Sequence, residues 1–280
     1  MPDIYYFLNI NEVYSSSFSM SNFLLSLSNL WITRYLIWNL ALSDLKLKYK
    51  NSILGFAWTI IEPLLMLTVL YFVFSTIFKN DIENFALYLL IGIIFWNMFS
   101  RSTSMSTLSI LNKSSVVNSM YFPREILVVS SVLTSFMMMM FEFVVLAAFF
   151  IGLQFIPPIS AILIIPFLAI LFVLSLGISL ALSVLHVHYR DVSFIWGVIL
   201  QIGFFLSPII YSLDLLPENI RQLVLLSPIA QIIESTHNLI LYQIYPSLFS
   251  VGYLLAITCI VLIIGIVIFR KLNPDIVEKL

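Results

Sequence analysis

Apolar runs of membrane-crossing length alternate with short polar stretches along most of this chain. A helix that crosses a hydrocarbon core of about 30 Å needs roughly 20 apolar residues. Runs of this kind occupy 55–78, 85–99 with some extension, 126–153, 159–185, 192–211 and 250–269, predicting six transmembrane helices. The first two are separated only by 79–84 and form a tight hairpin, and Pro157-Pro158 marks the turn between the third and fourth. Residues 207–250 break the pattern: they are apolar but carry Pro208, Pro217, Pro228 and Pro246, with Asp214, Glu218, Arg221, Glu234 and His237 among them. Neither half offers a clean span, so this stretch predicts two short helices that re-enter from one side, shielded by protein. A seventh span over 229–242 would bury Gln231, Glu234, His237 and Asn238.

Ahead of the first run the pattern changes period. Trp31, Tyr35, Trp38 and Leu42 recur at helical spacing, with Arg34, Asp44, Lys46, Lys48 and Lys50 between them. That is an amphipathic helix on the membrane surface. Asp3 and Glu12 precede any Lys or Arg, unlike the basic start of a cleaved signal. The expected organisation is a tail over 1–30, an interfacial helix over 31–52, a six-span domain over 53–272 and a second tail over 273–280: an all-α membrane protein.

Composition agrees: 61% of the 280 residues are hydrophobic and 10% charged, with a mean hydropathy of +1.07. A soluble domain carries about 25% charged residues. A net charge of −1 offers no basic surface for nucleic acid. Cys259 is the only cysteine, so neither a disulfide framework nor a cysteine metal site is available.

The basic residues set the orientation. With six spans and both termini on the cytoplasmic side, Arg34, Lys46, Lys48, Lys50, Arg101, Lys113, Arg124, Arg190, Arg270, Lys271 and Lys279 lie inside. Only Lys79 and Arg221 lie outside, which puts the re-entrant helices on the outer face.

Candidate chemistry is sparse. Glu62 and Glu142 are the carboxylates within spans, where a charge costs about 2.5 kcal/mol or more at the bilayer centre and so faces a bundle interior or cavity. Glu62, beside Pro63, suits a gating role; Glu142 suits helix packing, and no basic partner is expected for either in another span. His186 and His188, two apart, do not share a helix face and form no metal pair. Tyr71, Phe72, Phe74, Phe95, Trp96, Phe204, Phe205 and Tyr211 are lipid-facing aromatics or a lining on which sugar rings stack. No G-x-x-x-x-G-K-[ST] phosphate loop occurs, so a separate subunit must supply any ATP-derived energy. The inner loop 101–125, ending Tyr121-Phe122-Pro123-Arg124-Glu125, is long for a plain connection.

The stretch Asp44-Leu45-Lys46-Leu47-Lys48-Tyr49-Lys50-Asn51-Ser52-Ile53-Leu54-Gly55-Phe56-Ala57-Trp58, running into Glu62-Pro63, resembles the entry to the first span in permeases of ATP-binding cassette polysaccharide exporters. Tyr121-Phe122-Pro123-Arg124-Glu125, Arg190-Asp191-Val192, Ser207-Pro208-Ile209-Ile210-Tyr211 and Leu216-Pro217 resemble that family's later landmarks, in order. The chain departs from it at Ser43, where an Arg is common, at Ser227-Pro228, where Asn-Pro is common, and near His237, where an Arg is common.

The resemblance implies a homodimer with a channel at its interface in the bacterial inner membrane. Each copy would dock one ATP-binding subunit, which holds the ATP and Mg; this chain needs no cofactor. It implies coupling to the ATPase through Tyr121, Phe122, Pro123, Arg124 and Glu125, and a channel or gate built from Glu62, Tyr71, Phe74, Phe204, Phe205 and Tyr211. The pyrophosphate head of an undecaprenyl-linked glycan would meet Lys46, Lys48, Lys50 and Trp58. The implied cargo is O-antigen, with capsule or teichoic acid as alternatives. A membrane-embedded enzyme of lipid-linked glycan metabolism would need clustered acidic, His or Arg residues, which this chain scatters. A secondary transporter would show internal repeats, and none is found.

Overall fold

The computed structural model describes residues 33–77, 82–114 and 123–279. Among them every regular element is a helix. Helix α1 (Arg34–Lys48) precedes a 3-10 turn at Gly55–Ala57, α2 (Trp58–Tyr71) and a π-helical continuation, Phe72–Ile77. Then come α3 (Phe85–Asn112), α4 (Glu125–Gly152), α5 (Ile164–His188) and α6 (Val192–Leu206). Two short helices, α7 (Glu218–Leu225) and α8 (Pro228–His237), lead to α9 (Leu248–Leu272) and the one-turn α10 (Ile276–Lys279). Among the described residues, five helical segments are long and apolar enough to cross a membrane: Gly55–Ser75, Phe85–Asn112, Glu125–Gly152, Ile159–His188 and Leu248–Leu272.

Helix α3 is the hub. It runs 13 residues beyond the predicted end of the second span at 99, so Arg101 is helical rather than in a loop. The extension is rich in Ser and Thr, whose hydroxyls turn back on the helix: Ser102 and Thr103 donate to the Phe99 carbonyl at 2.9 Å, and Thr107 to Thr103 at 2.7 Å. Polar side chains satisfied in this way can sit in a core, and their small size lets backbones approach. Helix α4 answers with Ser130, Ser131, Thr134 and Ser135, all buried. Helices α5 and α9 meet closely at glycines: a Cβ on Gly265 would lie 2.0 Å from the Gly177 carbonyl oxygen.

The fifth predicted run divides. Helix α6 has 15 residues, about 22 Å at 1.5 Å per residue, and stops at Leu206. The cause is Pro208: the residue before a proline is pushed to extended backbone, and Ser207 has ψ 148°. Beyond it the two predicted short helices appear, bent 107° apart at the break between α7 and the stretch Pro228–Tyr242. Helix α8 is buried, whereas α7 has no buried residue.

Helix α1 lies against α4, burying Ile37 and Ala41, with Thr134 Oγ1 donating to the Ala41 carbonyl at 3.2 Å. Tyr35, Trp38 and Leu47 stay exposed, as a surface helix requires. Trp31 and the predicted tail over 1–30 lie outside the described residues.

Candidate transport path and coupling surface

Helices α2, α3 and α6 enclose a groove of about 320 Å³, lined by Met66 and Leu70, by Trp96 and Ser100, and by Leu200, Gln201, Phe204 and Phe205. Its aromatic wall is tied together: the Trp96 and Phe204 rings meet edge-on at 6.0 Å and Phe204 meets Phe205 at 5.4 Å. Gly203 makes room, since a Cβ there would lie 2.8 Å from the Trp96 ring. Trp196 Nε1 donates to Thr103 Oγ1 at 3.0 Å, which fixes α6 to the hub. The outward sides of α2 and α6 are apolar and exposed through Leu65, Met66, Val69, Phe72, Phe194, Ile195, Val198 and Ile202.

Of the aromatics named as a possible lining, Trp96, Phe204 and Phe205 face this groove, whereas Phe95 is fully buried in the core. Tyr71 is exposed beside it, with its ring 6.0 Å from Phe85, and Phe74 is half-buried on the π-helical continuation. Tyr211 sits at the end of α6, its hydroxyl donating to the Leu206 carbonyl at 2.9 Å. Glu62 is exposed on α2.

Glu142 is fully buried and carries an ion pair with Arg101, whose Nη2 donates to Oε1. The expectation that Glu142 has no basic partner in another span is therefore corrected. The partner was hidden because Arg101 follows the apolar part of α3 and reads as loop. Around this pair Lys48 and Glu62 complete a group of four charges from four helices. Lys48 reaches Met138 Sδ at 3.8 Å. Burial and the Arg101 guanidinium lower the Lys48 pKa, against the opposing pull of Glu62 and Glu142. Lys48 is an exposed residue all the same, as are Lys46, Lys50 and Trp58. Thr59 Oγ1 donates to the Tyr49 hydroxyl at 2.8 Å, and Lys113 Nζ pairs with Asp44 Oδ2 at 2.7 Å, holding α1 to α2 and α3.

Of the predicted coupling residues, Tyr121 and Phe122 lie outside the described residues. Pro123 and Arg124 lead into α4, which begins at Glu125. Among the described residues no His, Cys, Asp and Glu group could hold a metal ion, and His188 Nδ1 is spent on the Val184 carbonyl at 3.0 Å.

The opposite end holds a contact that the residue pattern does not announce. His237 of α8 is fully buried, stacked on Tyr88 of α3 at 3.7 Å, with Nε2 donating to the Tyr88 carbonyl at 2.9 Å. The Tyr88 hydroxyl donates to the carbonyls of Tyr211 at 2.8 Å and Pro208 at 3.1 Å. One tyrosine thus fixes both the stop of α6 and the inner helix of the hairpin. The only signal in the sequence is a polar His within an apolar stretch.

Known proteins resemble the chain along most of its length. It is 29% identical over 243 residues to the O-antigen export system permease protein RfbA of Klebsiella pneumoniae, covering 85% of this chain and 92% of that protein. The RfbA permease of Myxococcus xanthus is 24% identical over 249 residues, covering 88% and 96%. The polysialic acid transport protein KpsM of Escherichia coli is 20% identical over 234 residues, covering 82% and 91%. The ABC-2 type transporter family model matches residues 35–241, from the surface helix through the buried hairpin helix. The chain belongs to the ABC-2 type transporter family.

Proposed function

We propose that this chain is the permease of an ATP-driven exporter that moves undecaprenyl-pyrophosphate-linked polysaccharide, O-antigen in particular, across the bacterial inner membrane. The observation that carries the reading is similarity to an O-antigen export permease over 85% of the chain, with the family model matching residues 35–241. The groove between α2, α3 and α6 supports it: a nearly apolar, aromatic wall suits an isoprenoid chain and the C–H faces of sugars. Two copies facing each other across the exposed sides of α2 and α6 would close this wall into a channel.

The basic end faces the cytoplasm in this reading, as the distribution of Lys and Arg requires. Lys46, Lys48 and Lys50 then stand where a pyrophosphate head arrives, beside Trp58 at headgroup level. The segment 121–125 receives the motion of an ATP-binding subunit, one for each copy, with ATP and Mg bound there. The similarity to KpsM supports a second reading in which the cargo is a capsular polysaccharide.

Co-expression with a tagged ATP-binding subunit tests the proposal. A stable complex in detergent that exports lipid-linked O-antigen from ATP-loaded vesicles is expected. A chain that never holds an ATPase, or a complex that moves no lipid-linked glycan, overturns it. Preference for an acidic capsular polymer over O-antigen would select the second reading.

A further inference from the structure

Arg124, the residue just before α4, donates through Nη1 to the Asn273 backbone carbonyl and, at 2.9 Å, to Asn273 Oδ1. Asn273 is where α9 stops: its N–H still bonds the Phe269 carbonyl at 2.8 Å, and its own carbonyl also receives the Ile276 N–H at 3.3 Å. Three residues on, Ile276 is fully buried among Ile110 of α3, Val128 of α4, Val184 of α5 and Phe269 of α9. This small core is distinct from the main one. Asp275 approaches His188 Nε2, at the end of α5, at 3.9 Å. Glu125 Oε2 is buried without a hydrogen-bond partner, and the positive charges acting on it are those of Arg270 and Arg124.

A transmembrane helix needs none of this in order to end. Instead the chain turns back after α9 and places an isoleucine in a small core shared with four helices, while its asparagine holds the residue that precedes α4. An untied residue pushed by a partner would yield; Arg124, tied through residues 273–276 to the ends of α5 and α9, passes the push on. We infer that residues 273–276 are a positioning element for energy coupling, holding Arg124 so that force on 121–125 moves α4, α5 and α9 together.

The inference rests on the proposed ATP-driven export. Its test uses the full complex with the ATP-binding subunit, reconstituted in vesicles, with ATP hydrolysis and glycan export measured on the same sample. Asn273→Leu, Ile276→Ala and truncation after Leu272 are expected to leave ATP hydrolysis running while glycan exported per ATP falls at least about fivefold, the lower end of usual coupling effects. Asn273→Asp and Ile276→Val are expected to retain coupling, because each keeps the contact. Export per ATP equal to wild type in Asn273→Leu and in the truncated chain overturns the inference. So does a fall in export that only tracks the amount of folded complex, since export per ATP would then be unchanged. A wild-type complex that hydrolyses ATP but exports no glycan would instead sink the transport reading.

Discussion

Helices α2 and α3 are neighbours in sequence and space, yet the chain treats them oppositely. In its most apolar stretch α3 is 78% buried, against 22% for the α2 span. Each bears or adjoins a charge: Arg101 of α3 is ion-paired to Glu142, while Glu62 of α2 is exposed without an ion-pair partner among the described residues. One helix is frame and the other wall. A polar group in the frame must be satisfied inside the chain, because lipid offers nothing. A polar group on an exposed face is under no such demand.

The sharpest way to break this contrast is to remove one partner from the frame. Glu142→Leu leaves the Arg101 guanidinium buried alone and is expected to destabilise the chain by about 3–5 kcal/mol, seen as lost folded yield in detergent. The double variant Arg101→Met/Glu142→Leu is expected to recover most of that loss. If it is as unstable as the single variant, the pair is not what holds α3 to α4. Gly265→Ala is expected to cost about 1–3 kcal/mol by forcing α9 away from the Gly177 carbonyl, read as a lower unfolding temperature. Tyr88→Phe removes a donor shared by two carbonyls and is expected to cost about 1–2 kcal/mol, with faster proteolysis of 207–242 as its local signature.

The wall is expected to behave in the opposite sense. Phe205→Ala, on the exposed side of α6, should change stability by less than about 0.5 kcal/mol. Export should nonetheless fall about tenfold, equivalent to about 1.4 kcal/mol at the transport barrier. A Phe205→Ala chain that unfolds early but exports normally when folded would assign α6 to the frame instead.

The same division explains what the sequence disclosed. Long apolar runs need only hydropathy to be recognised, and the four prolines of 207–250 announced the broken hairpin because a missing N–H acts locally. Arg101 was misplaced for a tertiary reason. A Ser- and Thr-rich stretch reads as loop until the hydroxyls are seen bonding their own helix, and only then does the arginine fall opposite Glu142. Tyr88 and His237 are 149 residues apart, and nothing local records that they stack. Phe204 and Phe205 were found as aromatics, but the groove they line needed the angle between α2 and α6. Arg124 and Glu125 were singled out by resemblance, whereas their hold on the end of the chain rests on Asn273, which no local pattern marks.

We propose that the exposed faces of α2 and α6 form the wall of a path for lipid-linked polysaccharide. The most direct test is ATP-dependent transfer of labelled undecaprenyl-linked O-antigen across vesicles holding the complex, with single cysteines at 66 and 205 and Cys259 removed. A bulky thiol reagent at either position is expected to stop transfer, and transported glycan is expected to protect both from the reagent. Full transfer with both positions modified would place the path elsewhere in the molecule.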